Sequence, residues 1–329
     1  MHFAFTEEQD AVRVAVRDLL AKECTSTEVR GAWEAPSGRI DGIWDKLSAL
    51  GMPLMIVPES AGGLGLTMID LIGPLEETGW AGLPEPIVEH AAVAAPLVSD
   101  IGDRVSSALL HDGFVPYAGS VDLLLLAHGD ELHLVALDRV ERGQLTLTER
   151  MSVDGARRLF EAKWSASSAT LVGGRDELEA ARDRGTIGVA AQLCGLAARM
   201  LTMTVDYAKE RRQFGAPIGS FQAVKHHLAD ARVALEFARP LVYRAAYSSA
   251  TADQHVSLHA SMAKAQASEA ALRAGRVALQ CHGAIAYTVE YDLHLYLKRT
   301  WALARAWGDA RTHRARVGDA LHVLADQSW

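Results

Sequence analysis

Tyr207-Ala208-Lys209-Glu210-Arg211-Arg212-Gln213-Phe214-Gly215 and, further on, Gln280-Cys281-His282-Gly283-Ala284-Ile285-Ala286-Tyr287-Thr288 are the stretches that decide how this chain is read. Each breaks an Ala-rich, helically periodic run with charge, amide, aromatic ring and glycine in close succession. Pro217-Ile218 and Phe221-Gln222 follow the first, and Glu290-Tyr291 and Tyr296-Leu297-Lys298-Arg299 follow the second. Outward from them, apolar spacing predicts helices over Ile187 to Glu210, Phe221 to Ser248, Gln254 to Gln280, Leu293 to about Trp307 and Asp309 to about Ala325. Long helices joined by short loops pack as an antiparallel bundle. Residues 185–329 therefore read as a C-terminal helical bundle.

Toward the N terminus, Thr6 followed by Gln9 makes a capping-box pattern with Glu7 and Glu8 in the first turn, and Val12, Ala15, Val16 and Leu19 mark one apolar face. A second helix, Ile43 to Leu50, stops at Gly51, and Pro58 to Gly65 is a loop. Thr67 opens a third, with Ile69, Ile72 and Leu75 inward and Glu76 and Glu77 outward. Residues 1–84 thus form a helical domain. From Pro84, Pro86 and Pro96 the periodicity changes. Val121 to Ala127 and Leu132 to Leu137 flank His128-Gly129-Asp130-Glu131 as a hairpin, with further strands at Leu145 to Leu147 and Ala169 to Val172. Residues 85–184 read as a small β domain, and the fold class is mostly α with that insert.

The 329 residues carry a net charge of −8 spread along the chain, without basic blocks, which argues against a nucleic-acid partner. The N terminus shows no signal-peptide pattern, and apolar runs such as Leu123 to Ala127 are too short for a bilayer, so a cytoplasmic protein with no membrane contact is expected. Cys24, Cys194 and Cys281 are too few and scattered for a disulfide framework. His255 and His259 stand one helical turn apart, but no third ligand follows, so no metal site is expected.

In order, spacing and residue type the two stretches resemble the bundle domain of the acyl-CoA dehydrogenases. Pro58-Glu59 and Gly62-Gly63-Leu64-Gly65-Leu66 resemble that family too, so the likeness covers most of the chain. It implies a helical domain, a β domain and a helical bundle, with FAD as cofactor, an acyl-CoA thioester as substrate and electron-transfer flavoprotein or a similar acceptor. It also implies that both motifs reach across a subunit interface to a neighbour's FAD. The residue chemistry suits that role. Arg211, just past a helix end, offers a permanently charged fork for a pyrophosphate; Phe214 offers a flat apolar surface, and Gly215 lets the chain turn. The Gln280 amide suits ribose or phosphate oxygens, and Gly283 lets backbone come close. Gln213 and His282 complete the implied cofactor contacts. Taken singly, an Arg-Arg pair at a helix end is a solvated charge pair and a His-Gly a turn; together they outweigh those readings.

The chain departs from the family where the base should be. Most members remove the substrate α-proton with a glutamate in a Tyr-Glu-Gly-Thr stretch; the matching stretch here is Ala306-Trp307-Gly308-Asp309, with Trp307 at the glutamate position. Other members carry the glutamate at the start of the bundle's first helix, where this chain has Asp183-Arg184-Gly185-Thr186-Ile187. Asp183 and Asp309 are the remaining carboxylates near those places. Between Leu110 and Leu171 the family's flavin-cradling loop and strand are missing, with Val115-Pro116-Tyr117-Ala118-Gly119 leading straight into the hairpin. This combination resembles the short non-catalytic subunits of the α2β2 acyl-CoA dehydrogenases that actinobacteria use on steroid side chains. A homologous catalytic subunit would then supply the glutamate and most of the flavin cradle. A self-sufficient homomeric dehydrogenase with a displaced base, and a structural subunit without flavin contact, are the competing readings.

Overall fold

The computed structural model describes residues 4–98, 101–111, 113–140 and 144–326. Four helices begin the chain: α1 (Glu7–Glu23), α2 (Ser26–Glu34), α3 (Ile43–Ala49) and α4 (Met68–Ala81). The Thr6/Gln9 capping box is present at α1. Glu76 and Glu77 are not outward: both are buried, Glu77 bonded by Arg13 and Arg17, and Glu76 by Arg239 and the Tyr243 hydroxyl. Helix α4 is covered on both sides, so carboxylates that a single-faced reading sends to solvent are instead paired inside.

After α4 comes a wholly buried π-helical segment, Val88–Ala94, then two small sheets. In the first, β1 (Ser106–Leu109) runs parallel to β3 (Leu123–His128), which turns through Gly129 into antiparallel β4 (Glu131–Ala136), with β7 (Leu171–Gly173) beyond. In the second, β2 (Val115–Pro116) pairs with β6 (Leu159–Trp164), and β6 with β5 (Leu145–Arg150). The hairpin expected from sequence is β3–β4. Strands β1, β2 and β6 were not anticipated: β1 and β2 are too short to show a period, and Leu159-Phe160-Glu161-Ala162-Lys163-Trp164 mixes polar and apolar residues on a half-buried sheet. Residues Val115 and Pro116 are therefore strand rather than a direct lead into the hairpin.

The remainder is helical: α5 (Arg175–Glu210), α6 (Gln222–Ala250), α7 (Val256–His282), α8 (Leu293–Arg305) and α9 (Ala310–Asp326). Helix α5 starts well before Ile187. Its first turns are charged and amphipathic, and the Glu177 carboxylate accepts from the Gly174 N–H at its head. It is also the one described helix apolar enough to cross a bilayer, but 83% of its most apolar window is buried inside the protein, which makes it the core helix of the bundle. Helices α4 and α5 cross almost backbone to backbone, since a Cβ on Gly195 would fall 2.0 Å from the Glu76 carbonyl oxygen. A buried alanine face on α7, including Ala263, Ala267, Ala270 and Ala274, admits α5 and α6 closely.

Candidate functional site

The first motif folds as a small hairpin beyond the C-terminal end of α5. Arg212 pairs with Pro217 and Gln213 with Ala216, which leaves Phe214 and Gly215 as a two-residue loop with φ 52° and 79°. Two successive positive φ values are the signature of the type I′ turn, which Asn-Gly satisfies without strain and Phe does not. Despite that cost the Phe214 ring is 94% exposed. A strained backbone presenting a bare aromatic face to solvent points to something that covers it.

The second motif stands against the first. The Tyr207 ring stacks on His282 at 4.4 Å between centroids, and the Tyr207 hydroxyl donates to the His282 carbonyl at 3.4 Å. His282 itself is buried, with Nδ1 2.8 Å from the Ala278 carbonyl oxygen and Nε2 3.0 Å from the Tyr291 hydroxyl. Burial holds its pKa below the ordinary histidine value, the Ala278 contact opposing. Its ring thus joins the motifs from beneath, while Arg211, Gln213, Phe214, Gln280 and Gly283 are all exposed, Gln280 on a groove between α6 and α7 beside His227 and Arg276. Among the described residues the Arg211 and Gln280 side chains have no hydrogen-bond partner within the chain. Gly283 has φ 68° and open space where a Cβ would stand. A free fork, a free amide, a bare ring and an open glycine fit the pyrophosphate and flat rings of a dinucleotide.

Trp307 lies elsewhere. It follows α8 with φ 60°, is 5% exposed and lays its indole on Gly185 of α5, where an added Cβ would be 2.6 Å from ring carbons Cη2 and Cζ3. Trp307 of the Ala306-Trp307-Gly308-Asp309 stretch and Gly185 of the Asp183 to Ile187 stretch are therefore in contact. His111 meets the indole edge-on at 5.5 Å. On one side is a cleft of about 780 Å3 with Arg182, Arg305, Arg316 and Trp164 on its walls; on the other an apolar cavity of about 580 Å3 with Phe114, Leu159 and Trp301. The turn that carries Trp307 is held from behind: the Lys264 Nζ donates to the carbonyls of Ala304 and Gly308 and to Ser268, and His313 Nε2 lies 2.8 Å from the Trp307 carbonyl oxygen.

Both nearby aspartates are engaged in hydrogen bonds. The Asp309 Oδ1 accepts from the N–H and hydroxyl of Thr312 at 2.8 Å each, capping α9, and these bonds hold its pKa below the usual value. Burial lifts Asp183 to about 6, but its Oδ2 accepts from the Ser257 hydroxyl at 2.6 Å. His255 and His259 meet ring edge to ring, His259 Nδ1 lies 2.8 Å from the Ser248 hydroxyl, and no group of metal-ligating side chains occurs among the described residues. Sequence reasoning missed Gly185 as the indole's seat, Lys264 and His313 as its anchors, and Tyr207 and Tyr291 as the brace on His282. Each depends on a contact between distant segments.

The first motif follows the C-terminal end of α5, and Trp307 packs on Gly185 in its N-terminal half. From Gly185 to Arg211 the helical rise gives about 39 Å, so no single dinucleotide in this chain reaches both.

Family models for the acyl-CoA dehydrogenase N-terminal and C-terminal domains match residues 6–104 and 174–322. Acyl-CoA dehydrogenase IpdE2 of Mycobacterium tuberculosis is 33% identical over 98% of this chain and 98% of its own length, and IpdE2 of Mycolicibacterium smegmatis is 32% identical over 95% and 98%. In the ChsE4-ChsE5 complex from Mycobacterium tuberculosis a chain superposes with TM-score 0.87 at 23% identity, covering 98% of this chain and 99% of that one. The Tcur3481-Tcur3483 steroid acyl-CoA dehydrogenase follows with TM-score 0.83 at 24% identity over 97% and 99%. The fold, the two bundle motifs and near full-length relatives agree, and the chain belongs to the acyl-CoA dehydrogenase family.

Proposed function

We propose that this chain is the non-catalytic subunit of a heteromeric, FAD-dependent acyl-CoA dehydrogenase. It lends Arg211, Gln213, Phe214, Gln280 and Gly283, braced by His282, to an FAD seated mainly in a homologous catalytic partner. The observation that carries this reading is the buried indole of Trp307 packed on Gly185, in the two stretches that this reading aligns with the family's glutamate segments. Proton abstraction needs a carboxylate within hydrogen-bond reach of the substrate α-carbon, and an indole has no basic site. The distance of about 39 Å along α5 between Gly185 and Arg211 supports action on a neighbour's cofactor, and so does the bare Phe214 ring. Bound FAD supplies the hydride acceptor of the complex. Within this chain Arg211 neutralises pyrophosphate charge, and Gln280 and Gly283 let the dinucleotide lie close to backbone.

An α2β2 assembly, electron-transfer flavoprotein or a similar acceptor, and a steroid side-chain CoA ester as substrate complete the proposal. Support comes from relatives that include a complex of two chains, ChsE4-ChsE5, and a steroid acyl-CoA dehydrogenase. Purified alone, the chain should lack flavin absorbance and dehydrogenase activity; co-expressed with a homologous partner that retains the glutamate, it should share about one FAD per pair. Replacing Arg211 by Ala should strip most FAD from the complex while subunit association persists, since one bidentate charged contact is worth about 1.5–3 kcal/mol. A flavin-loaded, active homo-oligomer inactivated by Asp183→Asn would instead mark a self-sufficient enzyme. Full FAD occupancy in the Arg211→Ala complex would mark a structural subunit.

A further inference from the structure

The seam between the N-terminal helices and the bundle holds a cleft of about 330 Å3, with Arg199 of α5 on its wall. It is separate from both sites above: along α5 Arg199 stands about 21 Å from Gly185 and about 18 Å from Arg211. The Arg199 guanidinium lies over two rings, 5.7 Å from the centroid of Trp80 and 5.3 Å from that of Tyr296. Its Nε is closed off from solvent with no hydrogen-bond partner, and Arg199 forms no ion pair among the described residues. A charged donor left in that state costs free energy until an acceptor reaches it.

The carboxylate on the cleft wall cannot serve. Glu77 takes the Nε of Arg13 at 2.7 Å and the Nε and Nη2 of Arg17 at 3.0 and 2.7 Å. Burial pushes the Glu77 carboxyl up, and those two guanidinium groups more than offset it, so it stays ionised and saturated. Arg13 also lies 3.9 Å from Glu76, so on the cleft wall itself two guanidinium groups, Arg17 and Arg199, stand against the one carboxylate of Glu77. Facing them is Ser26 in the first turn of α2, its hydroxyl 3.5 Å from that of Tyr296.

We propose that this cleft binds a phosphate group, either free inorganic phosphate or the phosphomonoester end of a small metabolite, between the Arg199 guanidinium, the Arg17 Nη1 that Glu77 leaves free, and the Ser26 hydroxyl. The donors come from α5, α1 and α2 and line one cleft, and three separate donor groups match the several oxygens of a tetrahedral dianion. Stacking on Trp80 and Tyr296 holds the Arg199 fork in place before the anion arrives. In the first turn of α2 the Thr25 hydroxyl caps the Glu28 N–H, which leaves the Ser26 and Thr27 N–H groups without intrahelical acceptors. A volume near the lower end for small-molecule sites leaves room for a phosphate with a compact organic body.

The test is phosphorus NMR of inorganic phosphate and of glycerol phosphate titrated with the full chain, alongside thermal unfolding in each anion against chloride at matched ionic strength. Both phosphates should broaden saturably. Arg199→Met should weaken binding by about tenfold or more and Arg199→Lys by less, and Ser26→Ala should weaken it a few-fold without lowering the unfolding temperature in chloride. Equal affinity for the two probes marks a site for the free anion; tighter glycerol phosphate marks a phosphorylated metabolite. Absence of saturable broadening with either probe, or affinity unchanged in both Arg199→Lys and Ser26→Ala, overturns the proposal, and these two milder variants serve if Arg199→Met does not fold.

Discussion

An indole at residue 307 and a bare hydrogen at residue 185 are a matched pair, one large because the other is small. A Cβ at residue 185 would sit 2.6 Å from the ring, inside any tolerable carbon–carbon distance. Gly185→Ala should therefore cost about 1–3 kcal/mol by overpacking. In a Trp307→Ala background the same change should cost nothing or stabilise, because α5 gains a better helix former once the ring is gone. Urea unfolding of the four proteins as a double-mutant cycle reads the coupling; strictly additive effects would mean the indole does not rest there in solution. The identity of residue 307 was legible in the sequence because it follows a recognisable motif at fixed spacing. Its partner was not, because nothing near Gly185 in the chain mentions a tryptophan.

The turn between α8 and α9 shows how elements hold such a residue. Trp307 and Gly308 have φ 60° and 91°, and their carbonyls, with that of Ala304, are gripped from behind by Lys264 on α7 and His313 on α9. Lys264 is fully buried, and burial draws its pKa down to about 7, Asp309 opposing and Arg157 assisting. In the unfolded chain a lysine titrates near 10.4, about three units higher. Between those values the unfolded state holds a proton the folded state has released, so the Lys264 contribution grows with rising pH and is least favourable below about 7. Relative to Lys264→Met, the wild type should gain roughly 2–4 kcal/mol of unfolding free energy from pH 7 to 10. Denaturant titrations at intervals across that range measure it; a pH-independent difference would show that the amine keeps its proton. The helix α7 was readable from its period, but the burial of its lysine followed from the approach of α8 and α9.

At the scale of the molecule, one side chain ties together all three parts of the chain. Arg299, on α8 of the bundle, donates through Nη1 to Asp154 at 2.9 Å, and through Nη2 to the Leu83 carbonyl after α4 and to Tyr117 between the sheets. Arg299 and Asp154 are both buried. Removing one charge strands the other, so Asp154→Asn should cost about 3–5 kcal/mol. Far-ultraviolet dichroism and tryptophan fluorescence should still report one coincident transition, because the tie crosses every domain boundary; separated transitions would show the domains unfolding independently.

The sequence by itself determined the helical bundle, the small β insert and the family likeness carried by the two motif stretches. Those are properties of short windows, in which apolar period, capping pattern or motif spacing is complete within a few turns. Only the tertiary structure decided that Trp307 packs on Gly185, that Glu76 and Glu77 turn inward to arginines, and that His282 lies buried against Tyr207 and Tyr291. Each of these depends on which distant segments pack together and at what separation, and no local window carries that information.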